Sequence, residues 1–215
     1  MLIKDEFLRA AIARTLQLKE EEIDEKAMER LVSLSARSAG IISLEGLDTA
    51  VNLQYLDLCG NSIEDLDPIK DLREVEYLNL SKNMLRDIQA LRGYRQLLRL
   101  DISRNNLYTM DISAIAGMIN LEELNLERSK VDNLVYLENA KKLHKLYISI
   151  ENGPFPLSIL GTLNELKELH MNKMWLYDIA DLTYLKNIEV LDLSTNLFSD
   201  LSPLQYMKKT LRSLN

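Results

Sequence analysis

Three side chains in this sequence have the chemistry of a nucleophile or a soft ligand: Cys59, His144 and His170. A cysteine activated by a histidine attacks acyl groups, and two histidines with a third donor hold zinc. Both arrangements need their members within hydrogen-bond or coordination reach. Cys59 is the only cysteine, so neither an internal disulfide framework nor a multi-cysteine metal site is available. No glycine-rich phosphate loop and no Cys/His cluster accompanies it. Whether Cys59 meets a histidine depends on the spacing of the elements that carry them.

Those elements repeat. Leu-x-Leu or its equivalent recurs as Leu56/Leu58, Leu78/Leu80, Leu100/Ile102, Leu124/Leu126, Leu146/Ile148, Leu169/Met171 and Leu191/Leu193, at steps of 22, 22, 24, 22, 23 and 22 residues. An apolar residue stands three before each pair. Three after come Asn61, Asn83, Asn105, Ser129, Glu151, Met174 and Asn196. In Leu-x-Leu the two leucines face one side of a strand and the residue between faces the other. No single unit can bury its leucine face, so neighbours stack into a shared core. The Asn turns the chain out of the strand, and its amide can satisfy backbone groups otherwise buried without partners. The return limbs, such as Asp65-Leu66-Asp67-Pro68-Ile69 and Asp200-Leu201-Ser202-Pro203-Leu204, read as turns entering a short helical segment with Pro at its start. A 22-residue unit is too short for a full α-helix there, so 3-10 turns are expected. The fold class is an α/β leucine-rich-repeat solenoid: a curved parallel sheet on the concave face and 3-10 turns on the convex side.

Residues 1–41 depart from the repeat and read as a helical N-terminal cap, with the repeat array over 42–215. Ile3, Leu8, Ala11, Ile12 and Leu16 have helical spacing behind a capping Asp5. A second helix is expected from about Asp24 through Leu31. It passes into a degenerate repeat at Leu34, one 22-residue step before Leu56. Leu211 and Leu214 begin an eighth repeat that stops at Asn215. Bare apolar surface at a solenoid end is avoided. The expectation is therefore either further chain or an end-to-end contact with another molecule.

The repeat ruler separates the reactive groups. Cys59 and His144 lie four repeats apart, about 19 Å at the strand spacing, and His144 and His170 fall at different positions along adjacent strands. No enzymatic role, metal or cofactor is expected. The net charge of −7 argues against nucleic acid, which needs a concentrated positive face. No apolar run is long enough to insert in a membrane. The opening MLIKDEFLRAAIA lacks the form of a secretory signal.

The opening I-x-D-x-x-L-x-x-A-I, Ile23-Asp24, Leu34-x-Ala36, Ile41-x-x-Leu44-Glu45-Gly46-Leu47, Asn52-Leu53-x-x-Leu56 and the D-L-x-P-[LI] limbs resemble the cap and first repeats of the internalins. That family comprises leucine-rich-repeat proteins of Gram-positive bacteria, and the resemblance covers the whole chain. It implies a solenoid displayed on the cell surface or secreted, whose concave face binds a protein. Ser129, Glu151 and Met174 depart from the pattern by replacing the turn Asn in three consecutive repeats. Two alternatives stay open: a structural spacer within a larger surface protein, and a cytoplasmic protein-binding scaffold.

On the concave face the central column reads Asp57, Asn79, Asp101, Asn125, Tyr147, His170, Asp192. One edge carries Lys82, Arg104, Arg128 and Lys173, broken by Ile150, and reads as a solvated rim or as a strip for a polarised partner. The partner-binding residues are expected where the pattern breaks. Tyr147, His170, Trp175 and Phe155 form an apolar centre, ringed by Glu123, Lys145, Glu168 and Asn172, which is the anatomy of a binding hot spot. The partner is expected to be another protein.

Overall fold

The structure is a computed structural model that describes residues 1–105, 109–131, 133–149 and 156–215. Helix α1 (Glu6–Leu16) and the single-turn α2 (Glu25–Met28) precede the strands. These are β1 (Ser33–Ser35), β2 (Tyr55–Asp57), β3 (Tyr77–Asn79), β4 (Arg99–Asp101), β5 (Glu123–Glu127), β6 (Lys145–Ser149), β7 (Glu168–His170), β8 (Val190–Asp192) and β9 (Ser213–Leu214). Among the described residues they form one parallel sheet in sequence order. Leu34, Leu56, Leu78, Leu100, Leu124, Leu146, Leu169, Leu191 and Leu214 stand in register across it. From Leu34 to Leu191 these leucines are buried. This one column shows how the repeat makes the core: each leucine packs on its counterpart above and below.

The convex limbs are 3-10 turns, among them Leu47–Thr49, Asp67–Ile69, Gln89–Leu91, Ala180–Tyr184 and Ser202–Met207. An acidic or amide side chain starts most of them. Asp65, Asp87, Asp111, Asn133, Asp178 and Asp200 each accept the N–H of the residue two further on, at 2.8–2.9 Å. That Asx turn sets the corner before each limb.

The turn asparagines stitch one coil to the next. Asn83 donates to the carbonyls of Leu58 and Leu80 and accepts from the Ile63 N–H. Asn105 donates to Leu80 and Ile102 and accepts from Leu85. Further donation to Ser81 and Ser103 stays within the coil, while the bonds of Asn83 to Leu58 and Ile63, and of Asn105 to Leu80 and Leu85, cross to the preceding coil. Asn61, Asn83 and Asn105 are buried, and Asn196 is half-buried with the same pattern, to Met171, Leu193, Met174 and Leu176. Where Asn is absent the bonding thins. The Ser129 hydroxyl donates to Ile102 and accepts from the Asn105 N–H, while Met174 fills its site with apolar volume. Glu151 lies outside the described residues.

The cap differs from expectation at its second helix, which ends at Met28 rather than near Leu31. The chain must already be extended at Ser33 to pair with Tyr55, and that pairing competes with a further helical turn. Helix α1 is tied down by one carboxylate. Asp5 Oδ1 accepts the N–H groups of Phe7 and Leu8, while Oδ2 accepts those of Ile42 and Ser43 in the first coil. Burial alone would raise the Asp5 pKa, but these four backbone donors outweigh it and hold the carboxyl below its usual range. A lowered folded pKa contributes stability above the unfolded value and loses it as pH falls. Asp5→Ala is therefore expected to cost about 1–2 kcal/mol at neutral pH. The gap to the parent should narrow below about pH 4. Urea titrations at both pH values measure it, and a gap that widens on acidification would contradict this reading.

Candidate functional site

On the concave face, most central-column residues are occupied within their own strands. Asp57, Asn79, Asp101, Asn125 and Asp192 each turn an oxygen back to accept the N–H two residues on: Cys59, Ser81, Ser103, Glu127 and Ser194, at 2.9–3.1 Å. Asp57 is only 1% exposed and is also paired with Arg37 at 3.1 Å. These side chains finish the strands. A Tyr or His cannot accept in that way, so Tyr147 and His170 break the series and offer rings instead.

Register places Tyr147 opposite His170, and their rings stack with centroids 4.5 Å apart and planes 12° from parallel. Both are half-buried. Glu168 binds the pair from below: its Oε1 accepts the Tyr147 hydroxyl at 2.9 Å and lies 2.9 Å from His170 Nε2. Its Oε2 is 3.2 Å from Lys145 Nζ. Asp192 Oδ2 stands 3.7 Å from His170 Nδ1 on the other side. Burial, the hydrogen bond to Glu168 and the carboxylates of Glu168, Glu123 and Glu127 push the Tyr147 phenol above its ordinary pKa. Burial would also raise Glu168, but hydrogen bonds from His170, Tyr147 and Lys145 prevail and hold its carboxyl low. Tyr147 is thus a neutral donor at physiological pH, fixed in place by its bond to Glu168 and its stack on His170.

The other expected contact residues fall around this stack unevenly. Glu123 faces Arg99 at 3.7 Å, and Asn172 donates to Glu127 at 3.0 Å. Trp175 is 61% exposed, with its backbone in the left-handed region at φ 56°. It is a rim residue rather than core. Phe155 and Pro154 lie outside the described residues. A second aromatic pair stands at the other end of the face: Tyr55 and Tyr77 stack with centroids 4.4 Å apart. Reading the repeat columns as pairs, 22 residues apart, would have found it.

Cys59 is a buried free thiol whose neighbours are the Asp57 turn and the Ser38 N–H that its carbonyl accepts. Among the described residues no three His, Cys, Asp or Glu side chains converge as metal ligands. None of the described helices is long and apolar enough to cross a membrane.

Residues 51–107 match the leucine-rich-repeat family model. No match appears among curated protein sequences. Among solved structures, internalin C2 of Listeria monocytogenes is 28% identical, with a TM-score of 0.90 over 100% of this chain and 95% of that one. Internalin F of the same organism is 24% identical, with a TM-score of 0.77 over 100% of this chain and 69% of its own. The plant peptide hormone receptor RGFR1, solved in complex with RGF2, is 20% identical and has a TM-score of 0.57 over 78% and 33%. The chain thus carries leucine-rich repeats and is similar in fold over its whole length to internalin C2.

Proposed function

We propose that this internalin-like solenoid is a non-catalytic protein-binding module. Its partner docks on the concave face around Tyr147 and His170. The observation that carries the reading is the stacked pair itself. Two rings stand in a column where the other members are Asp or Asn engaged with their own strands, and Glu168 fixes the stack at 2.9 Å. Rigid aromatics that lose little side-chain freedom on binding, surrounded by polar groups of both signs, have the make-up of an interface centre. A plain spacer has no use for such a departure. The likeness to the internalins is the ground for placing the protein at a bacterial surface or outside the cell, with the cytoplasm as the alternative.

The test begins with affinity capture using the full chain as bait, followed by calorimetry on the captured partner. Tyr147→Ala is expected to weaken binding by about 2 kcal/mol or more, roughly thirtyfold. Ser33→Ala, exposed on β1 at the far end of the face, should change little. Thermal melts separate lost affinity from lost fold. Full affinity in a folded Tyr147→Ala protein would refute the proposed location.

A further inference from the structure

One row of side chains breaks a local backbone rule in coil after coil. Three residues after the central column stand Ser38, Gly60, Lys82, Arg104, Arg128, Lys173 and Thr195, all in the left-handed region. Gly60 has φ 76°, and the four basic residues have φ 53–58°. The geometry is imposed by the stack, because Gly60, Lys82, Arg104 and Lys173 each donate their N–H to a carbonyl of the next coil. Arg128 donates to the Ser149 hydroxyl. A residue with a Cβ is disfavoured here by about 1 kcal/mol, and Gly or Asn is the ordinary solution. Four long cations stand there instead. Ile150, in the same row, lies outside the described residues.

These cations are also unmatched. The acids on the same face have partners: Asp57 has Arg37, Glu123 has Arg99, Glu127 has Asn172, and Glu168 has Lys145 and His170. Asp101 accepts from the Ser103 N–H and from the Asn125 amide. The side chains of Lys82, Arg104, Arg128 and Lys173 are exposed and have no hydrogen bond or ion pair among the described residues. In a chain of net charge −7, four unpaired cations are thus drawn out along one rim. At the strand spacing the row from Lys82 to Lys173 spans about 19 Å. Two residues beyond Lys173 the same rim opens on Trp175.

We infer that this rim is a docking strip for an acidic segment of a protein partner, with Trp175 taking an apolar residue next to the acids. Carboxylates spaced along a peptide would supply the partners that the cations lack, and complementary charge of this kind steers and orients a complex. A protein fits better than a uniform polyanion. The carboxylates of Asp101 and Glu127 lie just inside the rim and repel a bulky anionic polymer, whereas a peptide can carry acids on one side only. The inference rests on the chain's being a protein-binding module, but not on the Tyr147–His170 stack.

The test uses the full chain and a short synthetic Glu-rich peptide containing one Phe, with heparin fragments as the rival probe. Calorimetry measures affinity, and Trp175, the only tryptophan, reports at the site by its emission. The peptide should bind at physiological salt, weaken as salt rises and shift the emission. Arg104→Gly with Arg128→Gly removes two charges with a residue that suits the left-handed backbone, so folding is retained. That double variant should lose about tenfold or more in peptide affinity, while Ser33→Ala, exposed at the far end of the face, leaves it unchanged. Absence of peptide binding, or equal binding by the double variant, would overturn the inference. Heparin binding tighter than the peptide would assign the rim to an anionic glycan and overturn it as well. Loss of peptide binding in Tyr147→Ala would move the peptide to the stack, again against the inference.

Discussion

Asn61→Ala should be among the most damaging single changes in the molecule, costing about 3 kcal/mol. Asn61 Oδ1 accepts three backbone N–H groups, from Ala39, Gly40 and Ile41, at 3.0–3.1 Å. Its Nδ2 donates to the carbonyls of Ala36 and Leu58 at 2.9 and 2.8 Å. An alanine leaves four main-chain groups to find new partners at a buried site, since the Leu58 carbonyl keeps Asn83, and each buried orphan costs about 1–3 kcal/mol unless water reaches it. Partial access of water brings the estimate below the roughly 4 kcal/mol that four dry orphans would cost at the least. Asn61→Asp separates the two halves of the amide. It keeps the acceptor but points a carboxylate oxygen at two carbonyls, so its loss at neutral pH should be at least as large and should shrink on acidification. Asn196→Ala makes the graded comparison: two accepted N–H groups and two carbonyls at a half-buried position should cost less, about 1–2 kcal/mol. Denaturant titrations followed by circular dichroism measure all three. An Asn61→Ala protein within about 0.5 kcal/mol of the parent would show that these bonds contribute little beyond what water replaces.

Gly46→Ala is the second large effect, and it acts on the junction between cap and array. Gly46 has φ +92°, and a Cβ built on it would lie 2.3 Å from the carbonyl oxygen of Leu2 and 3.0 Å from Ile3 Cδ1. The obstacle is backbone, so it cannot swing aside. Ile3 is fully buried beside it. The N-terminal segment must lift, withdrawing Ile3 and the start of α1 from the core. The expected cost is about 3 kcal/mol, combining roughly 1 for the left-handed backbone with about 2 for overpacking. Gly40→Ala isolates the first contribution. Its φ is +89°, but its Cβ would meet only the Phe7 ring at 3.6 Å, an ordinary contact. It should therefore cost about 1 kcal/mol. Hydrogen exchange read at the α1 amides, together with thermal melts, distinguishes the two variants. Equal losses and equal α1 protection would mean that the N-terminal segment yields easily.

Both predictions concern contacts between residues far apart in the chain, and that marks where legibility in the sequence ended. Burial of the leucine column, the parallel order of the strands and the convex 3-10 turns follow from Leu-x-Leu at steps near 22. Alternation along a strand is local, and identical units have one economical way to share a core. The same ruler placed Tyr147 beside His170, since the residue between paired leucines keeps its column wherever register holds. The turn asparagines were legible for the same reason, although the three N–H groups gathered by Asn61 were not.

Other properties were decided by the tertiary structure. The sequence put Asp57 and Tyr147 in one column, but only the packed face shows Asp57 turned back on its strand and closed by Arg37 while Tyr147 presents a ring. Trp175, which the sequence grouped with Tyr147 and His170, stands 61% exposed at the rim with its backbone in the left-handed region. Lys82, Arg104, Arg128 and Lys173 read as a solvated edge until their shared left-handed backbone and lack of partners were visible. Gly46 became a constraint only when Leu2 was seen lying across it, 44 positions away in the chain. The division has one physical cause. Periodic burial depends on side-chain type and spacing, which the sequence states directly. Pairing, exposure and backbone strain depend on what the rest of the molecule brings within a few ångströms, and that is settled only when the coils close on one another.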